Sequence, residues 1–326
     1  MYIVTGCAGF IASRVTAILL EQGHRVLGVD NLNSAYDPRL KHWRLEHLKN
    51  QDGFEFLEAD ISEKGCIQSI ATAASRAAEE IAAVVNLAAR AGVQPSVEDP
   101  YAYFATNVTG TLNMLELCRN HDVKKFLLAS TSSAYGQSTP GPTNEGASSE
   151  RPLSPYAASK KSAEVLAHTY HHLHGIDVSI PRYFTVYGPA GRPDMSVFRF
   201  IRWIATGEPL TLNGDGEQER DFTFIDDIAR GTVAALKPVG YEIVNLGSDR
   251  PVTINKVIGM IEEMVEKKAI IDRRPFHPAD VKATWADISK ARSLLGWEPR
   301  QSLEAGLQAA VDWYRENEEL ASSLNL

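Results

Sequence analysis

Residues 1–30, MYIVTGCAGFIASRVTAILLEQGHRVLGVD, carry the pattern that decides the fold. A short apolar strand is predicted at Tyr2–Thr5, and Gly6 and Gly9 follow it directly and open a helical pattern. Such glycines let backbone N–H groups approach a pyrophosphate at a helix N-terminus, where the helix dipole favours an anion. Asp30 ends the second apolar segment, where a carboxylate can bind a ribose diol. The stretch therefore predicts a dinucleotide site that prefers NAD to NADP, because Asp30 would repel a 2′-phosphate.

The next 150 residues continue the alternation of short apolar strands and helices. Predicted strands are Arg25–Val29, Phe54–Glu58, Ala83–Leu87, Lys125–Ala129 and Asp177–Arg182, and predicted helices lie near Phe10–Gln22, Arg39–Lys49, Lys64–Glu79, Tyr101–Asn120 and Tyr156–Leu173. This βαβ rhythm predicts the α/β class, with a Rossmann-type doubly wound parallel sheet covered on both faces. A glycine turn or a strand-capping aspartate alone would be weak support, but here both stand in the order that the fold requires.

The pattern loosens after Arg182, where turn signals become frequent. A buried strand is predicted again at Tyr241–Leu246, so the chain is expected to return to the main sheet. Further helices are predicted near Thr253–Glu266, Asp287–Leu295 and Leu303–Asn317. We therefore predict a Rossmann domain over 1–182, with a returning segment near 222–250, and a smaller, interleaved substrate-binding lobe over 183–326.

Composition excludes several classes of protein. The 326 residues are 44% hydrophobic and carry a net charge of −8, which argues against a surface for nucleic acid. The three cysteines, Cys7, Cys66 and Cys118, have no metal-binding spacing and leave one unpaired, as is usual in a reducing compartment. No apolar run reaches membrane-spanning length. We expect a cytoplasmic protein that binds neither nucleic acid nor membrane.

Tyr156 and Lys160 form the most informative chemical pattern. Positions four apart share one face of a helix, so the lysine ammonium is expected beside the phenol. A neighbouring positive charge would lower the tyrosine pKa and make Tyr156 a general base. The hydroxyl of Thr131 is a candidate to hold the same substrate oxygen. The spacing alone also fits an exposed pair without a function; the glycine turn and Asp30 favour catalysis.

Taken in order, these motifs resemble the extended short-chain dehydrogenases that modify nucleotide sugars, over essentially the whole chain. The similarity is strongest to the UDP-glucuronate 4-epimerases of that family. It rests on the stretches DNLNSAYD (30–37), AARAGVQPSVEDP (88–100), RYFTVYGPAGRPDM (182–195), RDFTFIDDIARG (220–231) and LGWEPRQSLEAGL (295–307). The resemblance implies NAD-dependent 4-epimerisation of UDP-glucuronate to UDP-galacturonate through a 4-keto sugar, with NAD retained and 183–326 binding the nucleotide sugar.

The resemblance also implies roles for individual residues. Tyr156 would be the base, Lys160 its partner and a ligand of the nicotinamide ribose, and Thr131 the hydroxyl on the sugar's 4-oxygen. Arg192 would bind the sugar carboxylate through two parallel hydrogen bonds. The implied cofactor contacts are Gly6, Gly9, Phe10, Ile11, Asp30, Asn31, Asp60, Ile61, Leu87, Ala88, Ala89, Tyr156 and Lys160. The implied substrate contacts are Ser132, Ser133, Thr185, Arg192, Arg220 and Asp280; no metal is expected, and a homodimer is.

Rival interpretations remain open at this point. A UDP-glucuronate decarboxylase would share the fold, the cofactor and the 4-keto intermediate, but its relatives carry an acidic residue where this chain has Ser133. A UDP-glucose 4-epimerase usually has asparagine in place of Thr185. A non-enzymatic NAD sensor would typically have lost Tyr156 or Lys160.

Three further polar features have structural alternatives to a catalytic role. The histidines of the helix near Tyr156–Leu173 are expected on a surface rather than on a metal, because they lack the HExxH pattern. Asp226 and Asp227 are expected to cap the helix that follows them. Arg220 fits either a UDP contact or a structural ion pair.

Overall fold

A parallel eight-stranded sheet forms the centre of the protein in the computed structural model, which describes residues 1–77, 79–137, 141–276 and 281–326. The strands are β1 (Tyr2–Thr5), β2 (Val26–Asp30), β3 (Phe54–Glu58), β4 (Ala83–Asn86), β5 (Lys125–Leu128), β6 (Ser130–Thr131), β7 (Asp177–Tyr183), β8 (Thr185–Tyr187), β9 (Pro209–Asn213), β10 (Glu219–Phe224), β11 (Tyr241–Leu246), β12 (Pro251–Thr253) and β13 (Ile270–Arg274). The α-helices are α1 (Phe10–Glu21), α2 (Pro38–Lys49), α3 (Cys66–Ser75), α4 (Val93–Glu98), α5 (Pro100–Phe104), α6 (Gly110–Asn120), α7 (Pro155–His174), α8 (Ser196–Thr206), α9 (Ile225–Ala234), α10 (Ile254–Val265), α11 (Leu303–Glu316) and α12 (Glu318–Ser323).

The strand order of the large sheet creates a crevice beside β1. The order is β11-β7-β5-β4-β1-β2-β3, and β6 pairs with the end of β7. The chain first builds outward from β1 to β3 and then crosses back to place β4 on the other side of β1. At the end of β1, Thr5 pairs with Val29 on one side and Asn86 on the other. Ligands of open parallel sheets bind at such a switch point, at the carboxyl ends of the strands.

Helices cover both faces of this sheet, as the sequence predicted. Successive strand residues point to opposite faces. Ile3 therefore packs in a cluster with residues of α3, α6 and α7, whereas Val4 packs in a second cluster with residues of α1 and α9. β2, β4 and β5 are buried along their whole length, which explains their largely apolar sequences, whereas the edge strand β3 is only partly buried. The predicted fold class is confirmed.

The return of the chain to the large sheet also follows the prediction. β11 pairs in parallel with β7 over Tyr241–Leu246, and α9 packs against α1. The remaining C-terminal elements include a three-stranded sheet, β12-β10-β8, and a two-stranded sheet of β13 and β9. Their core lies among α8, α10 and α11. The division at residue 182 stays a prediction.

Several elements differ from the sequence-based expectation. The helix predicted near Tyr101–Asn120 is divided into α5, a π-helical turn at Ala105–Thr109 and α6. The segment predicted as a helix near Asp287–Leu295 contains a π-helical turn at Ala291–Leu295. The amphipathic helix α8 and the short strands β8, β9, β10, β12 and β13 were not predicted, because a few residues between turn signals give little periodicity.

The proposed cap of α9 is wrong. Phe224 is the N-cap residue and contributes no side-chain hydrogen bond, so the helix begins before the two aspartates. Asp226 instead pairs with Arg14 of α1, with Nε 2.8 Å from Oδ1. Asp227 accepts hydrogen bonds from the backbone N–H groups of Arg300 and Gln301 at 3.0 and 2.9 Å. Both carboxylates tie α9 to distant parts of the chain.

A buried ion pair joins α7 to the large sheet. Glu164 of α7 and Arg182 of β7 each have about 1% of their side chain exposed. Arg182 donates from Nε and Nη2 to the two carboxylate oxygens at 2.8 and 2.6 Å, and Ser130 donates to Oε1 at 2.6 Å. The guanidinium also lies 4.5 Å from the centre of the Tyr135 ring. Such a pair is far costlier to break on one side than to replace as a whole.

We expect Glu164→Ala to lower the free energy of unfolding by about 3–5 kcal/mol, because it leaves Arg182 buried without its counter-charge. The double substitution Glu164→Leu/Arg182→Met should recover most of that loss. Denaturant unfolding of each variant measures both quantities. Glu242→Gln is the matched control: Glu242 pairs with Lys290 at 2.6 Å, but both side chains are 34% exposed. Its loss should stay below about 1 kcal/mol; equal losses from Glu164→Ala and Glu242→Gln would contradict the account.

Candidate active site

A cavity of about 390 Å³ opens at the carboxyl ends of β1, β2, β4 and β5. It brings together the predicted site residues Gly6, Gly9, Phe10, Ile11, Asp30, Asn31, Asp60, Ile61, Leu87, Ala88, Ala89, Thr131, Ser132, Ser133, Tyr156, Lys160, Thr185 and Arg192. A second cavity of about 180 Å³ adjoins it, shares Ser132, Ser133 and Thr185, and contains Arg220. Asp280 lies outside the described residues.

The glycine turn after β1 is closely packed at one wall of the cavity. Gly6 has a positive φ of 72°, and a side chain there would place its Cβ 2.8 Å from the backbone of Ala88. A Cβ at Gly9 would lie 2.8 Å from the carbonyl oxygen of Gly6. Both positions therefore require glycine. The turn delivers the N-terminus of α1, with no acidic residue in its first turn, to the cavity, which is the arrangement that binds a phosphate.

Asp30 is held rigidly at the end of β2. Its carboxylate accepts hydrogen bonds from the N–H groups of Ala8 and Leu32 at 3.1 and 2.8 Å, and Lys41 Nζ lies 3.6 Å away. Each carboxylate oxygen can accept more than one hydrogen bond, so both retain capacity for a ribose diol. Nearby, Asn31 donates to Asp60 at 2.7 Å, which fixes the adjoining loops. These residues fit the adenosine half of a dinucleotide.

The reactive pair lies on the first turns of α7. Ser154 caps this helix by accepting a hydrogen bond from the N–H of Ala157 at 3.2 Å. Lys160 is 4% exposed and donates from Nζ to the carbonyl of Ala129 at 3.0 Å. The Thr131 hydroxyl lies close enough to the phenol of Tyr156 to act on its pKa. The helix and the end of β6 therefore bring Tyr156, Lys160 and Thr131 into one cavity.

The predicted effect of Lys160 on the Tyr156 pKa is wrong for the ligand-free chain. Burial raises the pKa of Tyr156 above its ordinary value, although the Thr131 hydrogen bond and the charge of Arg192 lower it in part. Burial likewise lowers the pKa of Lys160 to about 8, against the charge of Glu164, which raises it. Burial thus disfavours both charged forms, and the lysine ammonium is directed at a backbone carbonyl.

Arg192 also differs from expectation, because its planar fork is already occupied. Its Nε and Nη2 donate to the two carboxylate oxygens of Asp194 at 3.0 and 2.6 Å, and Nη2 also donates to the carbonyl of Ala91 at 3.2 Å. A second carboxylate cannot use the same edge of the guanidinium at the same time.

Sequence reasoning missed a buried amide behind Tyr156. Asn107, 1% exposed and within the π-helical turn, accepts a hydrogen bond from the N–H of Arg90 at 2.9 Å and donates to its carbonyl at 3.0 Å. It also donates to Ser159 Oγ at 2.9 Å, and Ser159 donates to the carbonyl of Tyr156 at 2.8 Å. π-turns frequently mark functional sites. A polar residue within the apolar stripe of the predicted helix was the available signal.

The described residues contain no cluster suited to binding a metal ion. Across the described ranges no group of three or more His, Cys, Asp and Glu side chains is arranged to hold a metal ion. On α7, the His168 ring packs edge-on against Tyr241, and His171 Nδ1 lies 2.8 Å from the carbonyl oxygen of Ile176. In addition, none of the helices in those ranges has the length and apolar character that crossing a bilayer requires.

The fold and the cavity define a Rossmann-type dinucleotide-binding protein of the short-chain dehydrogenase class, with a tyrosine and a lysine of one helix at the cavity. The family model described as GDP-mannose 4,6 dehydratase matches residues 3–310. The chain belongs to this family of extended short-chain dehydrogenases, whose members include nucleotide-sugar epimerases.

Individual relatives narrow the comparison. The chain is 55% identical over 326 residues, 100% of its own length and 99% of the other, to a UDP-glucuronate 4-epimerase of Thermodesulfobacterium geofontis. The crystal structure of a UDP-glucuronic acid 4-epimerase from Bacillus cereus, with UDP-glucuronic acid and NAD, matches with a TM-score of 0.90 and 38% identity, covering 97% and 99% of the two chains. A UDP-glucose 4-epimerase of Thermotoga maritima, with UDP-glucose, matches with a TM-score of 0.87 and 33% identity over 97% and 99%.

We expect Lys160→Met to stabilise the ligand-free protein while removing its activity. The difference between a pKa of 10.5 and one of about 8 corresponds to about 3 kcal/mol, and the lost hydrogen bond to Ala129 returns about 1 kcal/mol of it. The folded chain binds its proton on Lys160 less readily than the unfolded chain does. The gain should therefore be about 2 kcal/mol below pH 8 and fade as the pH rises towards 10.5. Denaturant unfolding at pH 7 and pH 10 measures it; a destabilised variant at pH 7 would contradict the prediction.

Proposed function

We propose that the protein is a NAD-dependent epimerase that converts UDP-glucuronate to UDP-galacturonate by inverting carbon 4 of the sugar. The observation that carries the proposal is the convergence of Tyr156, Thr131 and Arg192 on one cavity. It is supported by 55% identity, over the full chain, to a UDP-glucuronate 4-epimerase.

NAD fits the residues of the large cavity. The Gly6 turn brings the N-terminus of α1 to the cavity, where it suits a pyrophosphate, and Asp30 stands where the adenosine ribose would lie. Leu87, Ala88 and Ala89 line the wall between them. When bound, NAD⁺ supplies the acceptor that takes a hydride from carbon 4 and returns it. The net reaction is redox-neutral, so the cofactor is proposed to stay bound.

Tyr156 is proposed to take the proton of the sugar 4-hydroxyl and later to return it. Thr131 holds the same oxygen, which fixes the sugar within proton-transfer distance. Because burial raises the pKa of Tyr156, the cavity favours the protonated phenol, which is the form that the return step needs as proton donor. The forward step requires positive charge to stabilise the phenolate. Arg192 contributes such a charge, and Lys160 is proposed to contribute a second one when the cavity is filled.

The other end of the substrate is assigned to the adjoining cavity. Ser132, Ser133 and Thr185 line both cavities and are proposed to contact the sugar, and Arg220 is proposed to contact the UDP phosphates. Arg220 donates from Nη1 to the carbonyl of Glu219 at 2.8 Å, so a structural role for it stays open.

Two rival activities are kept as outcomes of the test. A decarboxylase is disfavoured because Ser133, which lines the cavity, stands where those relatives carry an acidic residue. A UDP-glucose 4-epimerase is disfavoured because Arg192, whose Nη1 makes no hydrogen bond within the described part of the chain, offers the cavity a charged donor that suits a carboxylate better than a neutral hexose.

We also propose that the protein is a cytoplasmic homodimer. Cys7, Cys66 and Cys118 are buried free thiols, as suits a reducing compartment. Large apolar side chains are exposed on α4, α5 and α7, which pack against one another: Val97, Tyr101, Phe104, Val165 and Leu173 are 57%, 85%, 41%, 57% and 63% exposed. A patch of this kind is typical of an interface, and a two-fold dimer is the commonest closed assembly.

The dimer predicts twice the chain mass in light scattering. Tyr101→Asp/Phe104→Asp should give a folded monomer, because it places charge within the exposed patch on α5. Phe276→Asp, at a residue 40% exposed elsewhere on the surface, is the control and should stay dimeric. A monomeric wild-type protein would reject the assembly.

The activity is tested by incubating the purified protein with UDP-glucuronate, with and without added NAD. A product of unchanged mass that co-elutes with UDP-galacturonate is expected, also without added NAD. Tyr156→Phe should fold, bind NAD and lose activity by about 10²–10⁴-fold, because general acid–base catalysis contributes that much. A product lighter by carbon dioxide would identify a decarboxylase. Turnover of UDP-glucose alone would reject the carboxylate-selective site.

A further inference from the structure

Asp194 pairs with the guanidinium of Arg192 at the cavity wall without itself lining the cavity. Among the described residues that line the large cavity, Arg192 and Tyr36 are present and Asp194 is not. The Asp194 carboxylate, 28% exposed, takes the Nε and Nη2 edge of the guanidinium from the outer side. The cation is therefore placed between an internal carboxylate and the space where the substrate would lie.

Two more contacts restrain the same guanidinium. Nη2 donates its second proton to the carbonyl of Ala91 at 3.2 Å, and the hydroxyl of Tyr103 donates to that carbonyl at 3.2 Å. The guanidinium carbon lies 5.2 Å from the centre of the Tyr36 ring. Within the described part of the chain Nη1 makes no hydrogen bond, so the restraints select this nitrogen as the donor for a ligand.

The charges around Asp194 favour this arrangement. Burial lowers the pKa of Arg192, but the charge and hydrogen bonds of Asp194 raise it above its ordinary value, so the guanidinium stays charged. Burial lowers the pKa of Arg199 of α8 below its ordinary value and the charge of Asp194 opposes that shift, so two cations lie near one carboxylate. A buried cation without such a partner would be strongly unfavourable and free to adopt another rotamer.

We propose that Asp194 is a positioning residue that determines selectivity for an acidic sugar: it fixes Arg192 so that Nη1 meets the substrate carboxylate without reorganisation. The proposal rests on the proposed function. It replaces the two parallel hydrogen bonds expected from the sequence by one nitrogen of a pre-oriented cation, since preorganised donors bind charge more effectively than mobile ones.

The test compares UDP-glucuronate with UDP-glucose in Asp194→Asn. The kcat/KM for UDP-glucuronate should fall about tenfold or more, since one charged hydrogen-bonded contact is lost, whereas the value for UDP-glucose should change little. In an Arg192→Met background the same substitution should have no further effect on the ratio. Asp194→Glu, which keeps the carboxylate, should restore part of the selectivity.

Asp226→Asn is the matched control, because Asp226 makes a similar two-pronged contact with Arg14 away from both cavities. It should leave the ratio of the two substrates unchanged. Equal losses for both substrates in Asp194→Asn would assign Asp194 a merely structural role, and tighter binding of UDP-glucuronate would show that Asp194 opposes the substrate; either result overturns the proposal.

Calorimetric binding of UDP-glucuronate and UDP-glucose to the same variants separates this proposal from the proposed function. If the wild-type protein binds UDP-glucuronate but does not epimerise it, the function fails while the binding ratio still tests Asp194. A binding ratio unaltered by Asp194→Asn rejects the role of Asp194 whatever the reaction is.

Discussion

The buried ion pair between Glu164 and Arg182 is the constraint on which the site depends. It joins the middle of α7 to β7, and Ser130, one residue before Thr131, donates to the same carboxylate. The catalytic turn of α7 and the hydroxyl at the end of β6 are thus registered against one buried charge. Because both ions are almost fully enclosed, Glu164 cannot shift without leaving Arg182 without its counter-charge. The geometry of Tyr156 and Thr131 therefore follows from a contact that touches neither of them.

The large sheet could be predicted because its signals are local and repeated. Apolar strands after Met1 and around Asp30 alternate with helices of ordinary length, and the structure confirms their order and their parallel pairing. The small sheets could not be predicted, since β8 and β12 have only three residues each and no periodicity to measure. The break near Asn107 was missed for a related reason: a π-turn depends on tertiary hydrogen bonds to Arg90 and Ser159 that no local pattern encodes.

Residue types in the sequence identified which residues belong to the site, whereas their hydrogen-bond partners became known only from the structure. The sequence grouped Tyr156, Lys160 and Arg192 correctly into one cavity, but a spacing does not tell where a flexible side chain points. Lys160 donates to a backbone carbonyl, and Arg192 donates to a carboxylate two residues along the chain. Such contacts are decided by packing and by the need to satisfy each buried donor. In this cavity burial raises the pKa of Tyr156 and lowers that of Lys160, so the neutral form of each side chain is favoured.

The position of β11 has a consequence for the order in which the protein matures on the ribosome. Strands β1 to β7 can assemble once about half of the chain has emerged, but β7 then presents an unpaired edge until Tyr241–Leu246 is synthesised. At ordinary elongation rates of about 5–20 residues per second, that interval lasts several seconds. An exposed parallel edge is a template for pairing with another nascent chain. β11, which is short and partly polar, covers this edge only late in synthesis. A chain truncated before residue 246 would keep the edge of β7 exposed and would therefore be prone to aggregate.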